Sequence, residues 1–128
     1  MRLLLDTHAL LWWHEGASEL SGAATAALSD PTNTVYFSAV NVWEIQIKRH
    51  LGKLHLSTPL PQLVDRQHRV NGFGVLAVRV EHIYRLDTLP LHHRDPFDRL
   101  LVAQALEEDL TLLTRDAVVA SYDVPVHW

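Results

Sequence analysis

Four acidic residues stand where apolar segments end. Asp6 follows Arg2-Leu3-Leu4-Leu5, and Glu44 comes six residues after the Ser38 that closes Val35-Tyr36-Phe37. Asp98 lies in Asp95-Pro96-Phe97-Asp98-Arg99-Leu100-Leu101, and Asp116 follows Leu112-Leu113-Thr114-Arg115. If the apolar runs are parallel strands, their carboxyl ends share one edge of a sheet, where open α/β sheets bind ligands. Carboxylates gathered there repel one another and oppose ionisation. A hard divalent cation resolves that conflict, and Mg²⁺ or Mn²⁺ suits such oxygen donors.

Each acid also has a structural explanation. Asp6 and Asp116 sit where they would cap a following helix. Asp95, directly before Pro96, has the pattern of an N-cap with proline at the first helical position, which leaves Asp98 at the third, where a carboxylate complements the helix dipole. Glu44 and Lys48 form an i, i+4 pair of favourable orientation. The two roles are compatible, because a carboxylate can cap with one oxygen and bind a cation with the other. Asp6 carries the strongest case for a ligand, since an unpaired charge beside the apolar run Leu3–Leu5 is costly.

The elements that would carry these residues alternate. Leu3–Leu5, Val35–Ser38, Gly74–Val78 and Thr111–Thr114 read as strands, with Val124-Pro125-Val126 as an edge strand where proline is tolerated. Helices are predicted over 8–14, 18–28, 39–50, from Pro59 or Pro61 to about Val70, over 80–86, from Asp95 to about Asp109, and over 116–121. In the third of these, Val40, Trp43, Ile47 and Leu51 are spaced for one buried face, and Gly52 is its stop. Strands alternating with helices predict a three-layer α/β/α domain with a central, mostly parallel sheet of four or five strands.

Composition narrows the function. At 128 residues, 48% apolar, one domain spanning 1–128 is expected. No apolar run approaches the roughly 18 residues of a membrane span, and no leader peptide is visible. Cysteine is absent, which removes disulfides and thiolate metal sites and fits a reducing, cytoplasmic setting. The net charge of −4 argues against a general nucleic-acid coat while leaving room for local positive charge. The only lysines are Lys48 and Lys53; the other basic residues are arginines, which clamp phosphate bidentately.

Four segments taken together are similar to one family. They are Leu4-Leu5-Asp6-Thr7-His8, Ser38-Ala39-Val40-Asn41-Val42-Trp43-Glu44-Ile45, Asp95 to Ala105, and Leu112-Leu113-Thr114-Arg115-Asp116. In this order and at these separations the chain resembles the PIN-domain ribonucleases, specifically the VapC-like toxins of toxin–antitoxin pairs. The resemblance implies an Mg²⁺- or Mn²⁺-dependent endoribonuclease cutting single-stranded RNA or RNA loops, a cognate antitoxin, and a homodimer. It implies Asp6, Glu44, Asp98 and Asp116 as catalytic, metal-holding acids. Asp98 is preferred to Asp95 because the family's acid is followed by an apolar turn and small residues, here Leu101, Val102, Ala103 and Ala105. Thr7 and Thr114 are candidates to orient the acids, and Arg99 and Arg115 to contact substrate phosphate or simply to be solvated.

The nine histidines show no metal-binding spacing and read as ordinary polar or half-buried residues. Trp12, Trp13 and Trp43 read as core or interface residues; base stacking has no sequence support. Two binding modules remain as alternatives. A receiver-like module normally needs a lysine near the last strands, and none follows Lys53. An inactive PIN-type module is disfavoured by the retained acids. A dehalogenase-type phosphatase would want an aspartate at position 8, which is His.

Overall fold

Leu3, Leu4 and Leu5 are all fully buried, which requires cover on both faces of the strand that carries them. A computed structural model describes all 128 residues and supplies that cover. The strands are β1 (Arg2–Leu5), β2 (Thr34–Ser38), β3 (Gly74–Leu76), β4 (Thr111–Leu113) and β5 (Val126–His127). They form one parallel sheet in the order β3-β2-β1-β4-β5. The helices are α1 (Thr7–Glu15), α2 (Gly22–Ser29), α3 (Ala39–His50), α4 (Leu60–Asp65), α5 (Val80–Arg85), α6 (Pro96–Glu107) and α7 (Ala117–Ala120).

Side chains alternate across a strand, and β1 divides accordingly. Leu3 and Leu5 join Leu10, Ala24, Leu28 and Leu63 from α1, α2 and α4 in one core. Leu4 joins Leu101, Ala105 and Val119 from α6 and α7 in the other. This is the expected three-layer α/β/α arrangement, with five strands. No helix is long and apolar enough to cross a membrane.

The chain runs outward from β1 to β3, then returns to the other side of β1 as β4 and β5. The strand order therefore reverses between β1 and β4, the place where a crevice opens at the carboxyl ends. Leu5 pairs with Leu113, so Asp6 and Thr114 leave the sheet side by side.

Boundaries differ from expectation where local chemistry intervenes. The second helix starts at Gly22 because Ser21 caps it, accepting from Ala24 N–H at 2.9 Å. The fourth becomes a π-helical turn over Arg66–Val70. β3 stops at Leu76, and β5 begins after Pro125. α6 ends at Glu107, with Asp109 in the left-handed region at φ 57° and Leu110 N–H bonded to Ala105 C=O at 2.8 Å. Gly74 is obligatory in β3: it pairs with Tyr36, and a Cβ there would lie 2.6 Å from that ring.

The predicted buried face of α3 holds for Val40 but fails for Trp43 and Leu51. Trp43 and Leu51 are exposed, while Asn41, Glu44 and Ile45 turn inward beside Val40. Apolar spacing misleads here because the helix presents a polar stripe to the crevice. Trp43 instead meets Phe97 edge-on, 5.0 Å between centroids.

Candidate functional site

The helix caps and the crevice are built from the same aspartates. Asp6 caps α1, its Oδ1 accepting from Ala9 N–H at 2.7 Å, and its own N–H donates to Leu113 C=O at 3.1 Å. Thr114 hydrogen-bonds the Asp6 carboxylate, and its Oγ1 accepts from Asp116 N–H at 3.1 Å. Asp95 caps α6, accepting from Phe97 N–H at 2.8 Å. Asp116 caps α7, accepting from Val118 N–H at 2.9 Å. Their second oxygens are held near fixed positions by these caps, which makes the capping and ligand roles complementary.

Glu44 is buried at the inner face of α3 and is gripped at both oxygens. Thr7 donates its hydroxyl to Oε1 at 2.6 Å, and the Lys48 ammonium pairs with Oε2. Asn41 stands behind this contact. Its Nδ2 donates to Leu5 C=O at 3.2 Å and to Thr7 Oγ1 at 3.0 Å, while its Oδ1 accepts from Ser38 N–H at 2.7 Å. Asn41 thus ties β1, β2 and α3 together at the sheet edge.

Asp6, Thr7, Glu44, Asp98, Arg115 and Asp116 all line one cleft of about 470 Å³, together with Lys48, Asp95, His8, Trp12 and Ala117. Arg99 does not. Its guanidinium donates to Pro90 C=O at 2.9 Å and to Tyr122 Oη at 3.1 Å, fastening the loop before α6. These partners come from a distant loop, which adjacency to Asp98 does not reveal.

Two histidines depart from the reading as ordinary polar residues. His82 is fully buried and bonded to Glu108. His93 enters the site: its Nε2 lies 3.1 Å from Asp98 Oδ2 and 3.3 Å from Asp116 Oδ2, and its Nδ1 accepts from Asp95 N–H at 3.1 Å. These His93, Asp98 and Asp116 ligand atoms lie within 4.8 Å of one another. Because Nδ1 is an acceptor, the proton sits on Nε2, between the two carboxylates. Nothing in the spacing marks His93, since it acts from a loop.

Electrostatics separates the acids. Burial, then the neighbouring Asp95 and Glu44 carboxylates, push Asp98 up to about 7, with His93 opposing. Burial also raises Asp6, against the hydrogen bonds from Thr114 and Ala9. Lys48 is disfavoured by burial, yet its bond to Glu44 and the nearby Asp95 and Asp98 hold its ammonium above the ordinary value. Asp6, Glu44, Asp95, Asp98 and Asp116 outnumber the two permanent cations, Lys48 and Arg115. An oxygen-rich donor set in which Asp6 and Asp98 resist ionisation fits a hard divalent cation.

The sequence model of the family described as "PIN domain" matches residues 3–125. Ribonuclease VapC22 of Mycobacterium tuberculosis (strain ATCC 25618 / H37Rv) is 27% identical over 125 residues, covering 96% of this chain and 93% of that protein. Among solved structures, VapBC2 from Rickettsia felis, bound to a DNA fragment from its promoter, superposes with a TM-score of 0.74 at 14% identity, covering 99% of this chain and 98% of that one. FitAcB from Neisseria gonorrhoeae superposes at 0.63 with 20% identity, covering 98% and 96%. A toxin–antitoxin complex from Klebsiella pneumoniae gives 0.63 at 19% identity, with 98% and 96% covered.

Proposed function

This chain belongs to the PIN domain family, and from that premise we propose that it is a metal-dependent endoribonuclease toxin, acting on single-stranded RNA or RNA loops and neutralised by a cognate antitoxin. The observation that carries the reading is the convergence of Asp6, Glu44, Asp98 and Asp116 on one cleft at the strand carboxyl ends. The ribonuclease name of the M. tuberculosis relative and the toxin–antitoxin complexes among the structural relatives support it.

Asp6, Asp98 and Asp116 would hold Mg²⁺ or Mn²⁺, with Glu44 beside them. When bound, such a cation supplies positive charge at the phosphodiester and makes water more acidic. The chain's own groups do the rest. Thr114 and the α1 backbone fix the Asp6 carboxylate, and Thr7 and Asn41 fix Glu44. Lys48 pairs with the buried Glu44 carboxylate. Arg115 stands on the cleft wall, where it would meet a substrate phosphate. His93 directs its Nε2–H between Asp98 and Asp116 and hydrogen-bonds both carboxylates in the metal-free protein.

The antitoxin would answer the cleft's excess negative charge with a basic side chain. For a homodimer, Val75, Val80, Ile83 and Tyr84 on β3 and α5 offer the exposed apolar surface. The early-helix residues Trp12 and Trp13 are half-buried and less suited: Trp13 bonds Gln67 at 3.0 Å and packs against Phe73. The domain is taken as residues 1–128 and its setting as the cytoplasm.

Incubation with a mixed RNA pool tests the reading. Cleavage should require Mg²⁺ or Mn²⁺, stop with chelator, and vanish in Asp6→Asn. Full metal-dependent activity in that variant would refute the assignment.

A further inference from the structure

One wall of the cleft carries flat aromatic surface that metal chemistry does not require. His8 is exposed, and its ring lies against the indole of Trp12 with centroids 5.3 Å apart and planes at 17°. The Arg115 guanidinium lies over the same indole, 4.3 Å from the centroid. Trp128 meets Trp12 edge-on at 5.9 Å, so the indole is braced from the far end of the chain. Helical spacing alone brings His8 onto Trp12. It does not bring Arg115 from the end of β4, nor set all three on the cleft that Asp6 and Asp116 line.

We propose that His8, Trp12 and Arg115 form a stacking site for one unpaired nucleobase of the RNA strand, beside the phosphodiester that is cut. The proposal rests on the ribonuclease reading and adds how the strand is gripped. The need for a grip is electrostatic. The protein carries −4 and the cleft is lined by carboxylates, so phosphate neutralisation cannot supply the affinity. Stacking on an imidazole or guanidinium plane is independent of charge balance and tolerates any base, because every base has a π face. Bases inside a duplex are already stacked on both sides, so the same surface selects unpaired RNA. Arg115 contributes a flat face to the base and a positive charge to its phosphate.

Short single-stranded RNAs carrying 2-aminopurine at successive positions test this in the presence of Mn²⁺. Their fluorescence reports stacking, and their cleavage reports catalysis. In the wild type, one position is quenched on binding. His8→Ala loses that quench and raises KM about tenfold, or about 1.4 kcal/mol, in the range of a single base stack, while kcat changes far less. His8→Phe keeps a flat ring and restores both. An abasic nucleotide at the quenched position erases the difference between wild type and His8→Ala. Both variants change an exposed side chain, so folding is not at stake. Unchanged KM and quench in His8→Ala, with wild-type cleavage intact, overturns the stacking site and leaves the ribonuclease reading standing. A position-specific quench that His8→Ala abolishes, with no metal-dependent cleavage, supports the stacking site and overturns the nuclease. Neither quench nor cleavage overturns both.

Discussion

The molecule holds two clusters of charged and polar side chains that treat charge in opposite ways. At the back of α6, His82 is fully buried, its Nδ1 accepting from Arg79 N–H at 2.9 Å and its Nε2 donating to Glu108 Oε1 at 2.7 Å. Arg79 pairs with the same carboxylate, and its hydrogen bond, followed by that of His82, holds Glu108 below the usual carboxylate range. Every charge there has its partner. In the cleft, Asp98 is pushed up to about 7 and Asp6 is raised, because burial and like charges oppose their ionisation. The first arrangement closes the fold at α5 and α6. The second retains an unresolved repulsion that a fold alone has no reason to keep, and such sites are where function resides.

Substitutions in the two clusters should therefore act on different observables. Asp6→Asn or Asp98→Asn is expected to lower kcat by about 10³-fold, as loss of a group acting on the reacting centre does, while the melting temperature of the metal-free protein stays level or rises. Cleavage assays beside thermal unfolding check both halves; a large fall in melting temperature would mark the residue as structural. His82→Ala is expected to do the reverse, costing roughly 2–3 kcal/mol in chemical denaturation through a cavity and lost hydrogen bonds, with kcat of the folded protein little changed.

Acidity sharpens the contrast. Asp98 binds its proton more tightly when folded, at about 7 against the ordinary 3.8. Between those values the folded state holds more protons than the unfolded chain, so stability of the metal-free protein falls as pH rises from about 4 to 7 and levels off above. The loss should be on the order of 2 kcal/mol after allowing for solvent screening, and Asp98→Asn should remove that slope in urea unfolding across this range. The smallest effect concerns Lys48. Lys48→Gln deletes a cation beside the carboxylates, so affinity for Mn²⁺ should rise about fivefold, the worth of ~1 kcal/mol of screened repulsion. Unchanged affinity would show that Lys48 sits electrically apart from the ligand set.

Most of the fold could be read along the chain because its elements are local. The alternation of strand and helix, Asp95 as a cap, and Pro96 at a helix start all act within a few residues. Asp6, Asp98 and Asp116 were legible for the same reason, as each follows its strand or opens its helix, whereas Glu44, midway along α3, stood out only through the family resemblance. What could not be read depends on partners distant in sequence. Apolar spacing put Trp43 inside α3, but Thr7 and Asn41 draw Glu44 inward instead. His93 joins Asp98 and Asp116 from a loop, and Arg99 is captured by Pro90 and Tyr122. The stack of Arg115 on Trp12 joins the two ends of the chain, which no local pattern encodes.

Calorimetric titration of Mn²⁺ into the metal-free protein near pH 7, in buffers of different ionisation heat, addresses the unresolved charge most directly. The wild type should bind saturably and release a proton, since Asp98 is partly protonated there and a cation displaces it. Asp98→Asn should bind more weakly and release none. Absence of saturable binding by the wild type, or identical binding and proton release in the variant, would contradict the reading of the cleft as a cation site.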